Sequence, residues 1–217
     1  MSMAETNEAM VELVARKSVR YIGGRQANGR VLAAMLAVDR AAFLPAPDRR
    51  LAYDDEPIGI GLGQTCSQPS MVAFMLDLLD PEAGNKILEV GAGSGWVAAL
   101  AARLCAPDGH VWAVEILPEI AAFGRANCAV FGDRVSYLEG DGSSGLPGQA
   151  PFDRILVSAA ARRAFREEPL VSELAENGIL VYPDWRGRLN RVSKRGSLLE
   201  RESWGTVAFV PLIGGNS

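Results

Sequence analysis

The chain has 217 residues, 48% of them apolar and 22% charged, which is enough to bury one sizeable core without a second domain. A formal net charge of −4, with basic clusters such as Arg162-Arg163 and Lys194-Arg195 no longer than dipeptides, leaves no electrostatic footprint for a phosphate backbone, so no nucleic acid is expected as a partner. No apolar run reaches the roughly 18 residues of a membrane span. The acidic start, with Glu5, Glu8 and Glu12, lacks the basic flank of a signal peptide, so the expectation is a soluble cytoplasmic protein with no membrane association.

Residues 1–50 read as a helical cap. Val31, Leu32, Met35 and Leu36 share one face at helical spacing, with Asn28 as N-cap. Segment 51–68 is rich in glycine and lacks either period, so it reads as a loop feeding a helix that begins near Pro69 and carries Val72, Met75, Leu76 and Leu79 on one stripe. From Lys86 the pattern becomes short apolar runs separated by helical stretches. Candidate strands are Ile87–Val90, Val111–Glu115, Val135–Glu139, Ile155–Ser158 and Ile179–Tyr182, with helices after Gly95, after Pro118 and around Pro169–Glu176. That alternation predicts an α/β core over 86–183, a parallel sheet with helices on both faces. In 184–217, Arg188–Lys194 and Trp204–Val210 read as two strands joined at Arg195-Gly196-Ser197, an antiparallel pair closing one edge. The whole of 1–217 reads as a single domain.

Cys66, Cys105 and Cys128 are odd in number and lack a CxxC spacing, so free thiols and no metal site are expected. The single histidine, His110, follows Asp108-Gly109 at the start of an apolar run, where a turn or strand-edge residue is expected rather than a catalytic base.

The strongest chemical signal is Ile87-Leu88-Glu89-Val90-Gly91-Ala92-Gly93-Ser94-Gly95-Trp96, a strand, a glycine-rich turn and a helix. Glycines there let the backbone approach a ligand at the carboxyl end of the first core strand. A dinucleotide fingerprint wants a small residue where Trp96 stands. Taken alone, such a loop is also what a tight turn needs. Glu115 ends the second core strand, 24 residues after Gly91, where a carboxylate can accept from both hydroxyls of a ribose. Asp141-Gly142 follows the third, placed to accept from an adenine amino group. Each acid singly could be a solvated strand end, but three such features at three successive strand ends point to a nucleotide-like cofactor.

Segment Tyr53-Asp54-Asp55-Glu56-Pro57-Ile58-Gly59-Ile60-Gly61-Leu62-Gly63-Gln64-Thr65-Cys66-Ser67-Gln68-Pro69 resembles the substrate loop of protein-L-isoaspartate O-methyltransferases. Further matches in family order are Asp39-Arg40-Ala41-Ala42-Phe43, Gly140-Asp141-Gly142, Ala150-Pro151-Phe152-Asp153-Arg154-Ile155, Ala159-Ala160-Ala161 and Phe209-Val210-Pro211-Leu212. The resemblance implies a Rossmann-like methyltransferase fold with S-adenosyl-L-methionine as cofactor, and methylation of L-isoaspartyl residues in aged proteins or peptides. By carry-over, Thr65, Cys66, Ser67, Gly91, Gly93, Glu115, Ile116, Asp141 and Gly142 bind cofactor, and Asp55, Ile60, Gly61, Ala160 and Val210 bind substrate. Ser67 is the active-site serine, orienting the acceptor carboxylate rather than attacking, since no base lies near it in the motif. Arg162 and Arg163 could meet an acidic substrate.

Gly59, Cys66 and Arg162 depart from the family's usual proline, isoleucine and proline, all on the substrate side. Two alternatives therefore stay open at this point: a related methyltransferase acting on another carboxylate or small-molecule acceptor, and a non-catalytic S-adenosylmethionine-binding module.

Overall fold

The structure, a computed structural model, describes residues 5–18 and 27–215. Two helices, α1 (Asn7–Ser18) and α2 (Gly29–Ala37), open the chain, and two 3-10 turns, Arg40–Phe43 and Ala46–Leu51, follow. The expected cap at Asn28 forms: its side chain accepts from the Arg30 amide. The hairpin β1 (Ile58–Gly61) and β2 (Gln64–Cys66) comes next, then α3 (Pro69–Leu79). The core alternates β3 (Lys86–Val90), α4 (Trp96–Leu104), β4 (His110–Glu115), α5 (Pro118–Cys128), β5 (Val135–Glu139), β6 (Phe152–Val157), α6 (Glu168–Ser172) and β7 (Leu174–Pro183), and ends in β8 (Arg188–Arg195) and β9 (Leu198–Gly205).

Seven strands form one sheet in the order β5-β4-β3-β6-β7-β8-β9. The first five are parallel, while β8 and β9 add antiparallel, so the predicted antiparallel edge is present. Chain order reverses between β3 and β6, and a crevice therefore opens at their carboxyl ends, where open parallel sheets bind ligands. Side-chain alternation splits the core in two. Ile87, Ala113, Leu156 and Val181 face a large cluster fed by α1 to α5, while Leu88, Val114, Ile155 and Leu180 face a smaller one.

Four expectations change. The glycine-rich stretch is not a plain loop: Ile58 and Ile60 are buried on one side of β1 while Gly59 and Gly61 face out, so period-2 alternation exists but spans only four residues. The helix expected at Pro169–Glu176 stops at Ser172, and β7 begins at Leu174, because Leu174 continues the pairing with Phe152. The last strand is Leu198–Gly205 rather than Trp204–Val210, since the turn at Arg195–Ser197 sets the register directly with Arg195 opposite Leu198. Helical cover is also lopsided: among the described residues, α6, five residues long, is the only helix contributing to the smaller cluster.

Candidate active site

Gly91 and Gly93 carry the chain around the tip of β3 with φ of +76° and +57°, conformations that L side chains seldom take. The turn is tied to its neighbours, because the Gly91 and Ala92 amides donate to Val114 O and the Ser158 amide donates to Val90 O. Glu115 is buried at the end of β4. Its Oε2 accepts from the Gly93 amide at 3.0 Å and its Oε1 from the Leu117 amide at 3.0 Å, which aims the carboxylate along the cleft and leaves lone pairs on both oxygens. The cleft wall includes Gly91, Gly93, Glu115, Ile116, Gly142 and Val210. A Cβ on Gly142 would come within 3.2 Å of Val90 and Val114, so only glycine lets this strand end close against the sheet.

The β1–β2 hairpin lies across this turn. Ile60 Cδ1 is 3.5 Å from where a Cβ on Gly93 would stand. Thr65 and Ser67 lie between two spaces: one cavity also touches Glu89, Gly91 and Cys66, and the other, of about 520 Å³, is bounded by Pro57, Gln68, Met71 and the segment Thr206–Val210. Thr206–Val210 is held by its backbone, with Val207 donating to Gly187 O and Ala160 donating to Val210 O. A helix cap is the competing role for Ser67, and the structure gives that task elsewhere: Gln68 is the N-cap of α3, and Asp55 Oδ1 accepts from the Ser70 amide. No hydrogen bond occupies the Ser67 hydroxyl among the described residues, so it is free to donate.

Several assigned residues stand otherwise than expected. Asp55 does not face the groove; it is buried, accepting from Lys17, Gln68 and the amide and hydroxyl of Ser70, and these contacts outweigh burial to hold its carboxyl below the usual range. It anchors the loop to α1 and α3. Ile60 covers the glycine turn, and Gly61 sits beside Ile120 at the hairpin end, so neither lines the groove. Ala160 acts through its backbone, holding Val210 and Leu212. The Asp141 carboxylate is turned to the chain's own tail, accepting from the Ser143 and Gly215 amides, while its neighbours Gly140 and Gly142 line the cleft.

Two residues that motif reading passed over are central. Arg40 is fully buried, and its guanidinium donates to the carbonyls of Ala52, Asp54, Glu56, Cys66 and Ser67 at 2.9–3.1 Å, so the whole loop is wrapped around one side chain. The Trp96 ring lies 5.3 Å from it, and the Trp96 indole donates to Val38 O, which explains the large residue at that position. Glu89, in the middle of an apolar strand, is also buried. Ser158 donates to its Oε1 at 2.7 Å, whereas Oε2 has no partner among the described residues, and burial pushes the carboxyl up to about 8. A charge inside an apolar run was its sequence signal. His110, by contrast, opens β4 at the opposite end of the sheet, beside Ser136. The three cysteines are free and buried, and no group of metal-ligating side chains occurs among the described residues.

A family model described as protein-L-isoaspartate(D-aspartate) O-methyltransferase matches residues 6–217. The protein-L-isoaspartate O-methyltransferase of Methanopyrus kandleri is 45% identical over 213 residues, covering 95% of this chain and 91% of the relative. That of Aeropyrum pernix is 46% identical over 198 residues, covering 88% and 75%. A solved protein-L-isoaspartate O-methyltransferase is similar in fold, with a TM-score of 0.83 at 24% identity over 97% of this chain and 67% of that one. A Plasmodium falciparum chain solved in complex with S-adenosyl-L-homocysteine gives 0.81 at 22% identity, over 97% and 99%. With the Rossmann-like methyltransferase fold and a match along nearly its whole length, this chain belongs to the protein-L-isoaspartate O-methyltransferase family.

Proposed function

We propose that this chain transfers a methyl group from S-adenosyl-L-methionine to the free α-carboxylate of L-isoaspartyl residues in aged proteins and peptides, as a cytoplasmic repair enzyme. The observation that carries the reading is that Thr65 and Ser67 line both the cavity at the glycine turn and the adjoining groove, so two ligands can meet at one hydroxyl.

The residues present fit the cofactor. The positive-φ turn at Gly91 and Gly93 is a cradle that side chains would fill, Glu115 offers both oxygens, and the orphaned Oε2 of Glu89 suits the ammonium of an amino acid moiety. The cofactor supplies an electrophilic methyl on a sulfonium. The chain's own contribution is positioning, worth most when the reacting atoms are held within about 3–3.5 Å. An α-carboxylate, with a reference pKa of roughly 3.5, is already ionised at neutral pH, so no base is needed, and none lines the groove among the described residues. Ser67 donates to that carboxylate and orients it, and Val210 closes the space between the two ligands.

The test is transfer of tritiated methyl to an isoaspartyl peptide and to its aspartyl twin. Label on the isoaspartyl peptide alone is expected; equal labelling, or none, contradicts the reading.

A further inference from the structure

The carboxyl edge of the sheet carries a charged feature that methyl transfer does not use. β7 ends at Pro183, and the turn Asp184–Gly187 leads into β8, so this turn lies on the same edge as the glycine turn. Asp184 Oδ1 fixes it by accepting from the Arg186 and Arg188 amides. Trp185 at the tip is 52% exposed. Its ring stands beside two guanidiniums, with Arg186 at 4.9 Å and Arg163 at 5.9 Å from the centroid. Arg163 reaches the ring because the Ala161 amide donates to Pro183 O and Ala161 bridges Asp184.

Arg162, Arg163 and Arg186 are exposed, and none forms an ion pair among the described residues. Of the acids in these segments, Asp184 is engaged by turn amides and Glu167 by Arg201 and Tyr182. In a chain of net charge −4, this corner has the opposite sign. A guanidinium resting on an aromatic face is held extended and still presents its N–H edges, a fork that matches a carboxylate. The corner is also close to the groove. Arg162 follows Ala160 by two residues, about 7 Å of extended chain, and the Ala160 amide is bonded to Val210, which lines the groove.

We propose that Arg162, Arg163, Trp185 and Arg186 form a flank-recognition patch that favours isoaspartyl substrates carrying aspartate or glutamate a few residues from the damaged site. The inference rests on the methyl-transfer reading above. Its test is steady-state kinetics at saturating cofactor on three isoaspartyl peptides that differ only in flanking Glu, Gln or Lys residues. The wild type should show KM rising in the order Glu, Gln, Lys, by about threefold to tenfold across the series at low salt and less at high salt. The double variant Arg163→Gln, Arg186→Gln should lose this ranking while keeping kcat and the KM of the Gln-flanked peptide. Trp185→Ala should weaken the ranking without removing it. Indifference of the wild type to the flanks, or a ranking that survives in the double variant, overturns the patch while the isoaspartyl reading stands. Failure of the wild type to methylate even the Gln-flanked peptide overturns both.

Discussion

At the scale of single residues, the site divides a polar task between two side chains in the cleft that lack a full set of protein partners. With no cation beside it, Glu89 is held protonated at neutral pH, because burial raises its carboxyl from an ordinary 4.5 to about 8; an ammonium at Oε2 would favour the ionised form. The unfolded chain loses that proton near 4.5, so the stabilisation is complete below that pH and drains away as pH rises toward 8. Glu89→Gln should therefore melt close to the wild type at about pH 4 and above it at about pH 8, in ligand-free protein. A melting difference that stays constant across that range would show that Glu89 is not held protonated. Ser67 has a separate role. Ser67→Ala should lower kcat on an isoaspartyl peptide by about tenfold or more while the cofactor Kd, read by calorimetry, stays within about twofold, since a lost hydrogen bond to a charged group costs roughly 1.5–3 kcal/mol. Equal losses in both quantities would move the hydroxyl to the cofactor.

Legibility differed among these residues for physical reasons. The places of Gly91, Gly93 and Glu115 are legible because backbone conformation and strand-end position constrain them locally: both glycines take positive φ and Glu115 ends β4. Asp55 and Asp141 are less legible, because a carboxylate looks the same in sequence whether it meets a ligand or an amide of its own chain. Only the fold brings Ser70 to the first and Gly215 to the second.

At the scale of elements, the hairpin and the loop before it are held by a buried cation that has no acidic partner among the described residues. Five carbonyls from Ala52 to Ser67 converge on Arg40, so the loop has little independent reason to fold. Arg40→Met leaves those acceptors unpaired and should destabilise the protein by about 3 kcal/mol or more. Hydrogen exchange should show lost protection in the hairpin, with the β3–β4 pairing retained. Unchanged protection in 58–66 would mean that the hairpin is held by Ile58 and Ile60 alone. This wrapping had no signature of its own in the sequence, since Arg40 is one of 22 basic residues and its contacts lie up to 27 positions away. The β1–β2 pairing was hidden as well, because two of its four alternating positions are glycine. Longer elements were legible: β5 and the start of α3 fall where periodicity and Pro69 place them.

At the scale of the molecule, topology does the positioning. The reversal of strand order between β3 and β6 opens the cleft, and the antiparallel extension β8–β9 returns the chain so that Thr206–Val210 walls the groove. Two cavities then share the Thr65–Ser67 wall, an arrangement that suits a two-substrate transfer. The central claim is that the methyl lands on the isoaspartyl α-carboxylate. The most direct measurement follows an isoaspartyl peptide incubated with this protein and S-adenosylmethionine by mass spectrometry with fragmentation. A species heavier by one methylene, with the added mass on the α-carboxylate of the isoaspartyl residue, should appear first. It should decay by loss of methanol to the succinimide, and normal aspartyl peptide should then accumulate. A methyl found on any other group, or an aspartyl twin modified at the same rate, would contradict the account.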